Sequence, residues 1–395
     1  MGQDVLILSG VRTAIGTFGG ALASFAPADL AARVAKEAIA RSGLDAADIG
    51  QTVMGNVIHT EPKDMYLSRV AAIDAGVPPE SPALTLNRLC GSGLQAVASA
   101  SEAIQLGHCA AALAGGAESM SRAGHLLSAA RFGMKAGDVT AADMMVGALT
   151  DPFGNGHMGI TAENVSVREG VDRAAQDALA LESHHRAARA QAEGRFDSQI
   201  LPIDVRRGRE TTSFRADEMV RASVSSEDLA KLRPAFKAEG SVTAGNSSGI
   251  NDGAAALVLA SSELVRERGL IPLARIVASG LGGVAPELMG LGPIPATRQA
   301  LERARLSISD LDVIESNEAF AAQACAVSRS LGFDAGKVNP NGGAIALGHP
   351  IGASGAIILV KLVFELQRTG GRYGLATMCI GGGQGIALVV ENMRR

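Results

Sequence analysis

Residues 339–355 read NPNGGAIALGHPIGASG, and this glycine-rich stretch leads directly into the apolar run 356–364. Glycine lets the main chain approach a ligand closely because it has no Cβ. Pro350 fits the first turn of a helix, where its missing N–H costs nothing. The pattern therefore predicts a turn that holds His349 at the start of a buried helix.

Two further glycine-rich turns each carry one cysteine. Residues 87–93 (NRLCGSG) place Cys90 before a predicted helix, and residues 377–385 (TMCIGGGQG) place Cys379 after an apolar, strand-like run. One histidine and two cysteines, each beside glycines, indicate a single site that is built from three turns.

The last third of the chain repeats the order of parts found in the first third. Residues 306–317 match residues 44–56 as helix end, short strand and polar turn, and residues 375–383 match the strand and glycine turn at 112–116. Two copies of one strand–helix unit explain this most simply. Alternating strands and helices predict parallel or mixed sheets covered on both faces. We therefore predict a layered α/β fold with duplicated halves.

A region with a different sequence pattern, from about residue 120 to residue 240, separates the two copies. Polar loops and charged helices replace the strand–helix rhythm there, which predicts a large insertion with helices of its own. His184 and His185 lie in one of these charged runs and are predicted to face solvent.

Composition excludes several classes of function. The 395 residues are 47% hydrophobic and 19% charged, as expected for a packed globular protein. The net charge of −4 argues against nucleic acid or an anionic membrane as the main partner. The four cysteines show no CxxC spacing, so no zinc site is expected. Reduced thiols in a chain of this size favour the cytoplasm.

Cys90 and His349 have the residue types of a nucleophile and its base. A single cysteine is often an inert, buried thiol, and a single histidine is often structural. A cysteine at a helix N-terminus, however, gains thiolate character from the helix dipole. A thiol also needs a base to become a nucleophile, which His349 could supply.

Cys379 and Asn317 add groups that suit removal of a proton from a carbon atom. Hydrolysis needs no second thiol, whereas a thiol can act as general base toward the carbon beside a carbonyl. The glycines at 381–383 could supply N–H groups for a developing oxyanion. Asn317 suits either a helix cap or a group that holds a water beside His349.

Two short motifs suggest other chemistry. Residues 91–96 fit the G-x-G-x-x-A dinucleotide fingerprint, but no clean strand precedes them and no acidic residue follows at the usual distance. Residues 245–249 fit the G-x-S-x-G nucleophile elbow around Ser247, although only a short apolar run leads into them. Both patterns arise easily by chance in a glycine-rich chain.

The longer blocks of the sequence resemble the signature blocks of the thiolases, especially the biosynthetic, short-chain members. The blocks are NRLCGSGLQA, SNEAFAAQACA, NGGAIALGHPIGASGA and MCIGGGQGIA, with VRTAIGTFGG, GGAESMS and VTAGNSSGINDGAA beside them. The resemblance implies five layers, α-β-α-β-α, made of two duplicated halves and an inserted loop domain. It divides the chain into an N-terminal half (1–119 and 246–272), a loop domain over the coenzyme site (120–245) and a C-terminal half (273–395).

The resemblance also implies a ping-pong Claisen condensation of two acyl-CoA molecules into a 3-ketoacyl-CoA, and its reversal. Cys90 would carry the acyl group, His349 would accept the Cys90 proton, and Cys379 would deprotonate the second acetyl-CoA. His349 and a water on Asn317 would stabilise the enolate, while the N–H groups of Cys90 and Gly381 would hold the acyl oxyanion. No metal or redox cofactor is implied, because coenzyme A enters only as part of the substrate.

Substrate contacts and assembly follow from the same resemblance. The residues expected to contact the acyl-CoA are Arg221, Ser248, His157, Met158, Ala319 and Phe320. Gly156 stands where the family commonly has a bulky side chain, which bears on the size of the acyl pocket. A homotetramer is implied, with residues 121–138 as its assembly loop.

Three alternative functions also fit parts of this sequence. A degradative 3-ketoacyl-CoA thiolase would run the same steps toward cleavage and prefer longer acyl chains. A Cys–His hydrolase would not need Cys379. A CoA- or lipid-carrying protein would bind acetyl-CoA without forming a bond to Cys90.

Overall fold

The computed structural model describes residues 3–394 of the chain. The helices found there are α1 (Pro27–Ser42), α2 (Leu67–Asp74), α3 (Ser92–Gln105), α4 (Met144–Ala148), α5 (Met158–Glu169), α6 (Arg173–Ala192), α7 (Ser226–Ala230), α8 (Ser262–Glu267), α9 (Pro293–Ala304), α10 (Ala321–Leu331), α11 (Ala344–Leu347) and α12 (Ile351–Thr369). A glycine ends α1, because Gly43 takes the left-handed conformation (φ 79°) that closes a helix.

The strands found in the same residues are β1 (Val5–Thr13), β2 (Gly16–Thr17), β3 (Gln51–Gly55), β4 (Ala83–Leu86), β5 (Ala111–Ser119), β6 (His125–Leu126), β7 (Ala142–Asp143), β8 (Thr150–Asp151), β9 (Gly156–His157), β10 (Ile200–Leu201), β11 (Ile203–Arg207), β12 (Glu210–Phe214), β13 (Asn251–Ser261), β14 (Ala274–Gly283), β15 (Leu311–Ser316), β16 (Tyr373–Ile380) and β17 (Gln384–Asn392). Within residues 3–394, one 11-stranded sheet has the order β15-β16-β17-β14-β1-β13-β5-β3-β4, with β10 beside β1 and β2 beside β13.

The two halves of this sheet repeat one another, as the sequence predicts. In the N-terminal half β3 is parallel to β5, and β5, β13 and β1 follow antiparallel. In the C-terminal half β15 is parallel to β16, and β16, β17 and β14 follow antiparallel. Even β4 has a counterpart, since Ile314 of β15 forms a parallel bridge with Val338. Residues 5–7 of β1 pair with residues 274–276 of β14 and join the halves into one sheet.

Helices fill three layers around the two halves. The helices α3 and α12 pack against each other and against strands of both halves, while α1 and α2 cover the outer face of one half and α9 covers the outer face of the other. The largest apolar cluster surrounds α3 and α12, and separate clusters lie under α1 and α9. The predicted α-β-α-β-α layering is confirmed.

Glycines permit the close crossing of the two central helices. A Cβ on Gly93 would lie 2.7 Å from the backbone N of Ala356, and one on Gly355 would collide with Leu94. The apparent dinucleotide fingerprint at residues 91–96 therefore serves helix packing, because its second glycine faces the other helix and not an open cavity.

The chain between β5 and β13 lies largely outside the main sheet. It contains the separate pairs β6–β7, β8–β9 and β11–β12 and the helices α4 to α7, while β10 adds to the edge of β1. The boundaries drawn at residues 119, 245 and 272 remain predictions. Within residues 3–394, no helix combines the length and the apolar character that crossing a membrane requires.

A buried ion pair ties this region to β1. The Arg12 guanidinium contacts both carboxylate oxygens of Asp217 at 2.7 and 2.9 Å, and its Nε donates to Gln199 Oε1 at 2.8 Å. Both charged side chains are 0% exposed. Asp217 also accepts the backbone N–H of Ile15, so its carboxylate fixes the chain that follows β1.

Candidate active site

A tight turn presents Cys90 just before α3. Leu89 has a positive φ of 46°, a conformation that costs a side-chain-bearing residue about 1–2 kcal/mol. Hydrogen bonds compensate this strain: the Ser92 hydroxyl donates to Leu89 O at 2.7 Å and accepts Arg88 N–H at 2.8 Å. Asn87 Oδ1 also accepts Leu89 N–H at 2.8 Å. Local bonds therefore fix the backbone turn that carries Cys90.

His349 is buried at the start of α12, and its hydrogen bonds define its tautomer. Its Nδ1 lies 2.6 Å from Ser354 Oγ, and that hydroxyl donates its one proton to Pro350 O at 2.9 Å. Because the hydroxyl proton is used there, Nδ1 must carry a proton and donate to Ser354. Nε2 is then unprotonated, and Asn317 Nδ2 lies 3.5 Å from it. This geometry leaves Nε2 as the basic atom that faces the site.

Cys379 is the last residue but one of β16, and the glycine turn after this strand lies beside Cys90. Gly382 and Gly383 have φ values of 78° and 83°, which favour glycine at both positions. The backbone N–H groups of Gly381 and Cys90 lower the pKa of the Cys90 thiol against the larger effect of its burial, so both act on the same sulfur. They are the two donors expected from the sequence to face an oxygen bound at Cys90.

One apolar cavity of about 420 Å³ joins the three turns. Of the predicted site residues, those that line it are Cys90, His157, Met158, Ser248, Ala319, Phe320, His349, Cys379 and Gly381. Asn317 reaches the site through its contact with His349 Nε2. Arg221 is exposed and is not among the described residues that line the cavity.

Several cavity residues have no signal in the sequence. Phe236 stacks on the His157 ring with centroids 4.8 Å apart and packs edge-on against Phe320 at 6.1 Å. Met289 also lines the cavity. Phe236 is an isolated aromatic in a charged stretch, the one hint that it packs against a distant element.

Gly156 is the first residue of β9 and has a φ of 78°. Its neighbours His157 and Met158 line the cavity, whereas Gly156 is not among the described lining residues. The effect of this glycine on the size of an acyl pocket stays a prediction.

Burial keeps all three reacting groups neutral at rest. It raises the pKa of Cys90 to about 11, it raises the pKa of Cys379 still further, and it lowers the pKa of His349 to about 4. The expected thiolate character of Cys90 is wrong for the resting protein, because Cys90 precedes the first turn of α3 and lies in an apolar wall. A neutral Cys90 would have to lose its proton in order to attack a substrate, and the unprotonated Nε2 of His349 belongs to a residue that lines the same cavity.

The buried, neutral His349 predicts a loss of stability in mild acid. The unfolded chain binds a proton near pH 6.5 but the folded chain only near pH 4, so stability falls as the pH drops between these values. From pH 7 to pH 5 this group should cost about 2 kcal/mol of unfolding free energy. Urea unfolding of the wild type and of His349→Asn at both pH values measures it. An equal pH dependence in both proteins would contradict the assignment.

The structure also bears on two weaker patterns of the sequence. Among the described residues no strand leads into the turn at Ser247, and its hydroxyl donates to Thr243 O at 2.7 Å, which agrees with a chance match to the nucleophile elbow. His184 is not on a solvated face: it is buried, and its Nδ1 accepts the backbone N–H of Arg221 at 3.2 Å. Only His185 of that pair is exposed.

Comparison with known proteins agrees with this architecture. The chain matches the family model for the thiolase N-terminal domain over residues 5–263 and the model for the thiolase C-terminal domain over residues 270–392. It is 58% identical over 395 residues to the beta-ketothiolase BktB of Cupriavidus necator, with 100% of both chains covered. It is 50% identical to an acetyl-CoA acetyltransferase of Chromobacterium violaceum, covering 98% of this chain and 100% of that one.

A solved structure gives the same result. Human mitochondrial 3-ketoacyl-CoA thiolase in complex with CoA matches with a TM-score of 0.95 and 42% identity, over 99% of this chain and 98% of that one. The chain therefore belongs to the thiolase family. As a member of that family it is an enzyme of the acyltransferase class, which confirms the family and the fold class expected from the sequence.

Proposed function

We propose that this chain is a β-ketothiolase with acetyl-CoA C-acetyltransferase activity. It would condense two acyl-CoA molecules into a 3-ketoacyl-CoA, giving acetoacetyl-CoA and 3-ketovaleryl-CoA, and would catalyse the reverse thiolysis. The observation that carries this proposal is one apolar cavity lined by two thiols and an imidazole from three separate turns. The names of the relatives in Cupriavidus necator and Chromobacterium violaceum support it.

Cys90 begins the reaction by attacking the thioester carbon. Its proton passes to His349 Nε2, which becomes imidazolium, and the oxyanion accepts hydrogen bonds from the N–H groups of Cys90 and Gly381. The carbon–sulfur bond to coenzyme A then breaks. The expelled CoA thiolate takes its proton from Cys379, so that free CoA leaves behind acyl-Cys90, a His349 cation and a Cys379 thiolate.

The second half of the reaction restores all three groups. The Cys379 thiolate removes a proton from the methyl carbon of a second acetyl-CoA, and the raised pKa of this thiol makes its thiolate a strong base. The enolate oxygen accepts hydrogen bonds from His349 Nε2–H and from a water held on Asn317. The enolate carbon attacks acyl-Cys90, and the expelled Cys90 thiolate takes its proton back from His349.

The substrate contacts proposed for this reaction follow the shape of the cavity. Ser248, Ala319 and Phe320 line the cavity and would contact the pantetheine arm. The N–H of Ser248 donates to Ala319 O at 3.0 Å, which keeps their two loops together. His157 and Met158 would lie beside the acyl end. Arg221 would contact the CoA nucleotide through its exposed side chain.

We also propose that the enzyme is a cytoplasmic homotetramer without metal or redox cofactor. Every proposed step uses groups of this chain and of coenzyme A itself, and the four cysteines are free. Tetramer formation is supported by the segment around β6 and β7, which exposes large apolar side chains that a second copy would cover. These are Leu126, Leu127, Phe132, Met134 and Val139, of which Phe132 is 94% exposed.

The activity is tested by trapping the covalent intermediate. Brief incubation with acetyl-CoA should add one acetyl group to the Cys90 peptide, as read by mass spectrometry, and Cys90→Ala should lose both this mass and turnover. Thiolysis of four- to eight-carbon 3-ketoacyl-CoAs then defines the chain length. Binding without a label on Cys90 would favour a carrier, and strong preference for long chains would favour a degradative thiolase.

A further inference from the structure

Cys90 and His349 line one cavity but come from opposite halves of the fold. Cys90 lies in the turn before α3 in the N-terminal half, whereas His349 lies in the turn before α12 in the C-terminal half. Their relative position therefore depends on bonds that cross between the halves. Two buried side chains of the N-terminal half make such bonds, one on each side of the imidazole.

Asn251, the first residue of β13, holds the chain on one side. Its Oδ1 accepts the backbone N–H of His349 at 2.9 Å, and its Nδ2 donates to Gly16 O at 2.9 Å. The side chain is 0% exposed. Gly348 has a φ of 113°, and a Cβ there would lie 2.6 Å from Asn251 Cγ, so the backbone before the imidazole rests directly on this amide.

Glu118, near the end of β5, holds the chain on the other side. Its Oε2 accepts the N–H of Gly352 at 2.8 Å and that of Val57 at 3.1 Å. Its Oε1 accepts Ile58 N–H and Asn56 Nδ2, each at 3.1 Å. The carboxylate thereby ties the first turn of α12 to the loop that follows β3.

The partners of Glu118 require an acceptor at both oxygens. Burial raises its pKa toward about 8. A protonated carboxyl, however, would direct its hydrogen at one of four N–H groups, and the N-terminus of α12 also favours a negative charge. We therefore assign the anion. The same loop packs around the nucleophile, because Val57, Ile58 and Ile351 share an apolar cluster with Cys90.

We propose that Asn251 and Glu118 are positioning residues, which together hold residues 348–352 of the C-terminal half against the N-terminal half and so align His349 Nε2 with Cys90. This inference rests on the proposed function in assigning the proton of Cys90 to His349. Neither residue touches the reacting atoms. Their effect on the rate passes through the placement of the imidazole.

Alkylation of Cys90 by iodoacetamide reads this placement without any acyl-CoA. With His349 aligned and neutral, base-assisted alkylation should be independent of pH between about pH 5 and pH 9, since the pKa values of His349 and Cys90 are about 4 and about 11. With His349 misplaced, only the thiolate reacts, and the rate should rise about tenfold per pH unit. The titratable groups that face this pair from neighbouring elements are Cys379, Glu118 and His157.

Asn251→Ala is expected to lower kcat about 100-fold, the scale of a 1 Å misplacement. Its KM for acetyl-CoA should change less than about twofold. Its rate of Cys90 alkylation should rise steeply with pH, as in His349→Ala. Glu118→Gln should do the same. In Glu118→Gln the rise of the alkylation rate should also begin at lower pH. Burial, the main cause of the raised pKa of Cys90, remains there, but the anion that adds to it is gone.

Asn392→Ala is the matched control at the far end of α12. Asn392 is buried and donates to Leu366 O at 3.0 Å and Gly371 O at 2.8 Å, so its loss also removes buried hydrogen bonds on this helix. The thermal stability of Asn392→Ala should fall about as much as that of Asn251→Ala and Glu118→Gln. Its kcat and its pH-independent alkylation rate should stay as in the wild type.

The positioning role is disproved if Asn251→Ala and Glu118→Gln keep kcat and the pH-independent alkylation rate, as Asn392→Ala should. Should Glu118→Gln not fold, Asn251→Ala decides alone. Failure of the proposed function is distinguishable, because the wild type would then show a flat alkylation profile but no acetyl group on Cys90.

Discussion

Cys379→Ser is expected to slow both condensation and thiolysis about 1,000-fold, the range in which a general base contributes. A hydroxyl in the same apolar wall cannot supply the strong base that the methyl carbon of acetyl-CoA requires. Acetylation of Cys90 should survive, because the expelled CoA thiolate can take its proton from water. Steady-state thiolysis of acetoacetyl-CoA and the mass of the Cys90 peptide measure the two steps separately.

A second thiol provides the control for this substitution. Burial raises the pKa of Cys325 to about 11, as it does for Cys90, but Cys325 lies outside the residues described as lining the cavity. Cys325→Ser should keep turnover within about twofold of the wild type. If Cys379→Ser also kept most activity, the carbon-acid role of Cys379 would be wrong and a Cys–His hydrolase would fit better.

Arg12→Met is expected to lower the free energy of unfolding by about 3–5 kcal/mol, because it leaves the Asp217 carboxylate buried without its cation. The guanidinium makes two bonds to Asp217 and one to Gln199, none of which methionine can replace. Urea unfolding at neutral pH measures the loss. The residues that Asp217 fixes after β1 should also become more accessible to proteolysis.

An exposed ion pair gives the comparison for Arg12. Lys63 and Asp29 lie 3.1 Å apart, but their side chains are 44% and 48% exposed. Lys63→Met should therefore cost less than about 1 kcal/mol. A similar cost for both substitutions would mean that burial does not control the strength of the Arg12–Asp217 pair.

The three turns of the site could be predicted from the sequence because each is a local pattern. Glycines beside His349 and Cys379 mark backbone conformations that few other residues adopt, and those beside Cys90 mark close packing. The repeated order of strands and helices indicates the duplicated halves. Such signals depend on neighbours in the chain. They survive without any knowledge of which segments meet in space.

Long-range contacts left no comparable signal. Phe236 reaches the cavity from a charged loop, and Asn251 meets His349 across 98 positions of the chain. Burial also reversed two local rules. The helix dipole predicted an acidic Cys90, and the charged run predicted a solvated His184, but desolvation and packing outweigh both in the folded chain.

The pairing of β1 with β14 limits how this enzyme can admit its substrates. Three consecutive residue pairs, from Val5 with Ile276 to Ile7 with Ala274, stitch the halves into one continuous ladder. Hinging the halves apart would tear backbone hydrogen bonds in the middle of the molecule. Any opening of the cavity that leaves this ladder intact has to come from the loops that cover it and not from a separation of the two halves.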